Sequence, residues 1–160
     1  MHYSLAKTVE TTAFRLARPE DLDGLVELFQ CFFAETDLPS FGLRYDFANA
    51  RQTVADDMRR TVVLVAVDSE SGRIVGSIGF AYNRSFDKPV AEMGRFYVKQ
   101  EWRRSAIGHT LLMLAIDTAK AEGAAVFRAF VNSGVSGGGN IFKRFGFRET
   151  PHSFLFGKEL

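Results

Sequence analysis

Cysteine is nearly absent from this chain: Cys31 is the one thiol in 160 residues, so no internal disulfide can form. Stability therefore has to come from a packed core rather than from cross-links. Cys31 itself lies in the apolar stretch LVELFQCFF, where a buried, inert helix position is expected. Long hydrophobic runs are also missing. The longest strand-like one, VVLVAV, is far too short to span a bilayer, and the opening MHYSLAKTVETTA lacks the apolar centre of a secretory signal. A cytoplasmic location and no membrane partner are expected. Charge of one sign is lacking too, since 20 Lys and Arg against 19 Asp and Glu leave a formal net charge of +1. With no basic stripe carrying interleaved aromatics, nucleic acid is not expected as a partner. The three histidines, His2, His109 and His152, share no ligand spacing, so no metal site is expected.

What is present is an ordinary globular composition, 46% hydrophobic and 24% charged, in a length that suits one core and is short for two. No repeat or Pro/Gly/Ser-rich linker divides it. Residues 1 to 11 read as an N-terminal extension and 12 to 160 as one domain. Alternation predicts a first strand over 11 to 18; Glu20 and Asp21 then open a helix with Leu22, Leu25, Leu28 and Phe29 at helical spacing. ETDLPSFGLRYD, residues 35 to 46, is a loop and candidate lid, followed by a helix in FANARQTVADDMRR. Strands are predicted at 62 to 67, 73 to 82 and 90 to 99. A strongly apolar helix runs from near Ile107 to a glycine stop at Gly123, then a strand over 124 to 132, a short helix in NIFKRFGF, and a terminal strand in SFLFGKEL. The order is β-α-α-β-β-β-α-β-α-β.

Between FYVKQEW and the apolar helix stand Arg103, Arg104, Ser105, Ala106, Ile107 and Gly108. A glycine-containing turn at a helix start can present several unpaired N–H groups, aided by the helix dipole, to a phosphate. Read alone, the six residues fit equally well a tight strand-to-helix connection with solvated arginines.

The order of elements, together with FRLARPEDLDGL, AEMGRFYVKQEWRRSAIGHTLL and IFKRFGF at their respective places, resembles the GCN5-related N-acetyltransferase (GNAT) family over nearly the whole chain. The resemblance implies an α/β (α+β) fold: a mixed, mostly antiparallel central sheet splayed between strands 4 and 5 and flanked by about four helices. It implies acetyl-CoA as co-substrate, with pantetheine added to the edge of strand 4 through the backbone of Phe96, Tyr97 and Val98. The pyrophosphate would lie on the turn formed by Arg103, Arg104, Ser105, Ala106, Ile107 and Gly108, with His109 beside it. Ala106 stands where the family has a glycine, which is tolerable if its φ is negative. The resemblance also implies a pantetheine contact from an asparagine after strand 5, for which Asn132 and Asn140 are the candidates.

An amine must lose a proton before it can attack a thioester. The resemblance assigns that task to Glu92, as base or water positioner. By period-2 alternation Glu92 is expected to share a face with Gly94 and Phe96; the other reading is a solvent-facing residue or an ion pair with a nearby arginine. Phe142 occupies the place where many family members carry a tyrosine that protonates the leaving thiolate, and a phenyl ring cannot donate. Either the thiolate leaves unaided, or Ser136, Tyr97 or a water substitutes, or catalysis is weak or absent. The expected activity is transfer of acetyl to a primary amine of a small molecule or protein by direct attack. The acceptor is expected from the side of the 35 to 46 loop, where Glu35, Asp37 and Asp46 with Glu92 would attract a cation. The alternative is a GNAT-fold binding or regulatory protein. The SFLFGKEL edge gives an expectation of a homodimer.

Overall fold

The alternating stretches pair in chain order. In the computed structural model, which describes residues 10 to 130 and 138 to 149, they form one sheet: β1 (Thr12–Leu16), β2 (Val62–Asp68), β3 (Ile74–Asn83), β4 (Val90–Val98) and β5 (Val126–Ala129). β1 to β4 run antiparallel to their neighbours, and β5 lies parallel to β4. The readings on His2, Asn132, Ser136, His152 and the 153 to 160 strand lie outside the described residues.

Two helices cover one face, α1 (Leu22–Ala34) and α2 (Phe47–Arg60); α3 (Ile107–Ala121) and the short α4 (Gly138–Arg144) cover the other. In α1 the buried stripe is Leu25, Val26, Leu28 and Phe29. Cys31 falls on the opposite side of that helix and is exposed, so the expected burial is corrected: an apolar neighbourhood in sequence does not place a residue on the buried face. Asp46 caps α2, accepting from the Asn49 N–H at 3.1 Å. On α3, Leu111, Leu112 and Ala115 are fully buried against the sheet, each leucine contributing about 1.5–3 kcal/mol of apolar burial. The helix stops as expected at Gly123, whose φ of +90° suits a glycine.

At the other end of the first layer, Asp21 is buried and receives Arg15 from β1 in a two-point ion pair, at 2.6 and 2.9 Å, plus the Arg18 N–H at 2.7 Å. The guanidinium and the N–H hold the Asp21 carboxyl below the usual carboxylate range, against the opposing effect of burial.

Two irregularities of β4 shape the middle of the molecule. Ser77 pairs with Tyr97 but Gly79 pairs with Gly94, so three steps on β4 face two on β3, and the extra residue makes a bulge. Arg95 adopts φ +54° there, and the fully buried Ser77 hydroxyl donates to its carbonyl at 2.9 Å. The second irregularity is on the other edge. β4 and β5 pair only from Val90↔Val126 to Met93↔Ala129, while β4 runs on to Val98. Residues 94 to 98 thus have no strand beside them on that side among the described residues.

Candidate active site

The bulge decides which side chains share a face. Ala91, Met93, Phe96 and Val98 belong to the α3 side, and Tyr97 packs with α1. Glu92 therefore shares its face with Gly94 and, past the bulge, with Arg95 and Tyr97. The expected companionship of Glu92 and Phe96 is corrected, because one extra residue reverses the alternation.

Glu92 stands one pair before the strands part, opposite Arg128 of β5 and Ala81 of β3. Its Oε1 accepts from Asn83 Nδ2 at 3.1 Å and from Arg128 Nη2. The arginine pairing weighed from sequence is therefore present. Both bonds fall on Oε1, which leaves Oε2 without a hydrogen bond among the described residues. Immediately beyond, Gly94 faces open space: a Cβ there would meet nothing within 4 Å.

Along the free edge, Tyr97 pairs with Ser77, and the Lys99 N–H donates to the Val75 carbonyl at 2.9 Å, so these residues turn their backbone groups toward β3. In an antiparallel ladder the groups alternate, and those of Phe96 and Val98 point to the unpaired side. Arg103 Nε already donates to the Val98 carbonyl at 2.9 Å. Phe96 and Val98 side chains lie in the core with α3, and Tyr97 is buried on the other face.

The edge leads to the start of α3. Arg104 has φ +59°, Ala106 is the N-cap with φ −76°, and Ser105 Oγ donates to the Trp102 carbonyl at 2.5 Å. The negative φ at Ala106 means that its methyl group is tolerated without backbone strain. Thr110 N–H bonds back to the Ala106 carbonyl at 2.8 Å, whereas the N–H groups of residues 106, 108 and 109 have no acceptor among the described residues. These are the donors an anion needs. Gly108 has ordinary room for a Cβ, at 3.7 Å from Phe96 and Val98, so the protein's own packing does not demand glycine there. Ile107 is fully buried and serves the core.

The two arginines separate. Arg103 donates Nη2 to both Glu35 oxygens, at 2.8 and 2.7 Å, and lies over the Tyr97 ring. Arg104 has no partner among the described residues. His109 is exposed and packs at a tilt against the Phe145 ring, with centroids 4.6 Å apart.

Two expectations about polar groups change. Tyr97, weighed as a substitute proton donor, donates its hydroxyl to Glu35 Oε1 at 2.5 Å on the sheet face opposite Phe142. Burial first, then the Glu35 bond and charge, raise its pKa well above that of a free tyrosine, against the opposing Arg103. Phe142 is buried and packs edge-on to Phe96 and Phe147. The acids expected to attract a cation are mostly engaged: Glu35 with Tyr97 and Arg103, Asp46 as a cap, Glu92 with Arg128. The Glu35 cluster had no sequence signal, since its members lie 62 and 68 positions apart.

A mixed sheet parted between its parallel strands, with a helix start facing the free edge, is the architecture of the N-acetyltransferase folds. The family model described as Acetyltransferase (GNAT) family matches residues 22–147, and the chain belongs to that family. Among solved structures it is similar to an acetyltransferase of Trypanosoma brucei, with 18% identity, 92% of this chain and 99% of that one covered, and a TM-score of 0.72. It is also similar to the aminoglycoside N-acetyltransferase AAC(6')-Iy solved in complex with CoA, at 11% identity, 93% and 95% coverage and a TM-score of 0.73. A third, a predicted acetyltransferase of Clostridium acetobutylicum solved with acetyl-CoA, has 15% identity, 91% and 96% coverage and a TM-score of 0.68. At these identities the likeness is one of fold. No curated protein matches the chain. No helix among the described residues is long and apolar enough to cross a membrane.

Proposed function

We propose that this protein transfers the acetyl group of acetyl-CoA to a primary amine by direct attack, with Glu92 as base. The observation that carries the reading is the juxtaposition along β4, where, among the described residues, a carboxylate keeps one oxygen free at the point β4 and β5 part, the strand edge beyond it is unpaired, and N–H groups at the start of α3 have no acceptor.

Each part has a task. The N–H groups of residues 106, 108 and 109, with Arg104 beside them, hold the pyrophosphate. The outward backbone groups of Phe96 and the outward N–H of Val98 hold pantetheine as though it were a short strand. A donor held along that edge brings its thioester toward the open space at Gly94. The amine gives up a proton to Glu92 Oε2, directly or through a water, and its nitrogen attacks the carbonyl carbon. The C–N bond forms, the C–S bond breaks and the thiolate leaves. With Phe142 in the core and Tyr97 committed to Glu35, the thiolate leaves unaided or takes its proton from water.

Calorimetric titration with acetyl-CoA and a thiol-release assay over a panel of amines test this. Glu92→Gln should leave acetyl-CoA affinity unchanged and lower kcat by about 10²–10⁴-fold, the usual worth of a general base. Full turnover by that variant would remove Glu92 from the chemistry. Tight acetyl-CoA binding with no transfer to any amine would make the chain a binding protein on this fold.

A further inference from the structure

A cavity of about 220 Å³ lies between α1, α2 and the turn that joins them, walled by the rings of Phe29, Phe32 and Phe33 and by Leu38, Ala50 and Val54. Its remaining wall is Thr36, Tyr45, Thr53 and Arg95. Each of these polar side chains already donates within the protein. Thr36 donates to the Phe33 carbonyl at 2.7 Å, Tyr45 to the Val26 carbonyl at 2.8 Å, and Thr53 to the Asn49 carbonyl at 3.0 Å. Arg95 donates Nε and Nη2 to Asp57 Oδ2 at 2.9 and 2.6 Å and lies over the Phe29 ring at 4.9 Å.

No carboxylate lines this cavity among the described residues, and its one cation is balanced by Asp57 from outside the wall. A second ammonium group of a ligand would meet no counter-charge here and would stand near Arg95. A polar group would lose its water and, among the described residues, find as donors only the remaining guanidinium N–H groups of Arg95. An apolar group loses nothing and sheds its hydration. The volume suits an aromatic ring, since an apolar cavity of roughly 150 Å³ already binds benzene. The rim matches the interior, with Phe32 and Leu38 37% and 41% exposed.

The position links the cavity to the chemistry. Arg95 is the bulge residue of β4, next to Gly94 and on the sheet face that carries Glu92. We infer that the acceptor is a monoamine with an apolar, ring-sized body, which this cavity holds while the amine is directed toward β4 at Gly94. This rests on the acetyl-transfer reading. It narrows the acceptor against polyamines and aminoglycosides, which carry several cations.

The test uses the full chain with CoA present and 4-fluorophenethylamine as a ¹⁹F NMR probe, beside kcat/KM for phenethylamine, spermidine and kanamycin. The intact protein should bind the probe, and phenethylamine should exceed spermidine and kanamycin in kcat/KM by at least tenfold. Ala50→Trp fills the cavity and should weaken the probe at least tenfold without changing CoA affinity. Phe33→Ala enlarges it and should move the preference to a longer apolar amine, and this variant decides the matter if Ala50→Trp does not fold. Preference for spermidine or kanamycin, or a probe affinity that neither variant changes, overturns the inference while leaving acetyl transfer intact. Probe binding that responds to the variants, with no acetylated product, upholds the cavity assignment and sinks the transfer reading.

Discussion

Arg103 and Glu35 form a two-point ion pair across 68 positions of sequence, Nη2 meeting both carboxylate oxygens at 2.8 and 2.7 Å. Because Glu35 follows the last residue of α1 and Arg103 leads into the turn before α3, the pair ties the α1 layer to that turn. The Tyr97 hydroxyl on Glu35 and the Arg103 Nε on the Val98 carbonyl fasten both ends to β4.

Arg103→Ala should therefore lower stability by about 1–2 kcal/mol: under 1 for a half-exposed ion pair, and a similar amount for the charge-assisted bond to Val98. A double-mutant cycle with Glu35→Gln, read by thermal or urea unfolding, should give a coupling of about 0.5 kcal/mol or more. Additive losses would mean that the two residues act separately.

Arg104 has the opposite profile, with a left-handed φ of +59° and no partner among the described residues. Arg104→Gly should relieve strain and raise stability by about 1 kcal/mol, while acetyl-CoA binds roughly tenfold more weakly for want of the cation. Calorimetry beside a melting curve separates the two effects. Unchanged affinity would leave the backbone donors alone in charge of the pyrophosphate.

Gly94 is needed neither by its backbone nor by its neighbours, for a Cβ there meets nothing within 4 Å. Gly94→Val should fold as well as the parent, or better by about 0.5–1 kcal/mol as a strand residue. Acetyl transfer should nevertheless fall at least tenfold, because the side chain enters the space beside Glu92. A fully active variant would show that the reacting groups meet elsewhere.

Tyrosine titration gives a pH test. Burial and the Glu35 carboxylate raise Tyr97, and burial with Glu122 nearby pushes Tyr82 up to about 12. A raised folded-state value favours the neutral hydroxyl, so its contribution to stability is whole below the free value of about 10 and is lost as pH rises beyond it. Absorbance at 295 nm should show fewer than the chain's four tyrosines ionising near pH 10 to 11 while the protein stays folded. Tyr97→Phe should leave that early amplitude unchanged and flatten the alkaline loss of stability. A smaller early amplitude in the variant would mean that Tyr97 titrates as a free tyrosine.

Much of the fold was legible because its signals are local. Alternation marked the strands, 3.6-residue spacing marked α3, and Gly123 marked its end, each read from a few neighbouring residues. The α3 start near Ile107 was equally plain from the apolar stripe that begins there. The Cys31 error came from reading apolar company as burial, when α1 turns that residue to the far side of Leu25 and Phe29. Phe96 was placed on the wrong face because alternation assumes an unbroken ladder, and the bulge exists only where β4 meets β3.

By itself the sequence determined the order of elements from the first strand to the short helix in NIFKRFGF, the packed α3 face, and the place where a turn of small residues enters a helix. Tertiary structure alone decided that Glu92 shares its face with Arg95 and Tyr97 rather than with Phe96, that Arg103 is held while Arg104 has no partner among the described residues, and that the acids of the 35 to 46 loop are mostly committed. The reason is range. Periodicity and turn chemistry act within about one helical turn or one strand. Face, pairing and charge balance depend on partners that the sheet brings together, such as Ser77 with Arg95 and Glu35 with Tyr97 and Arg103.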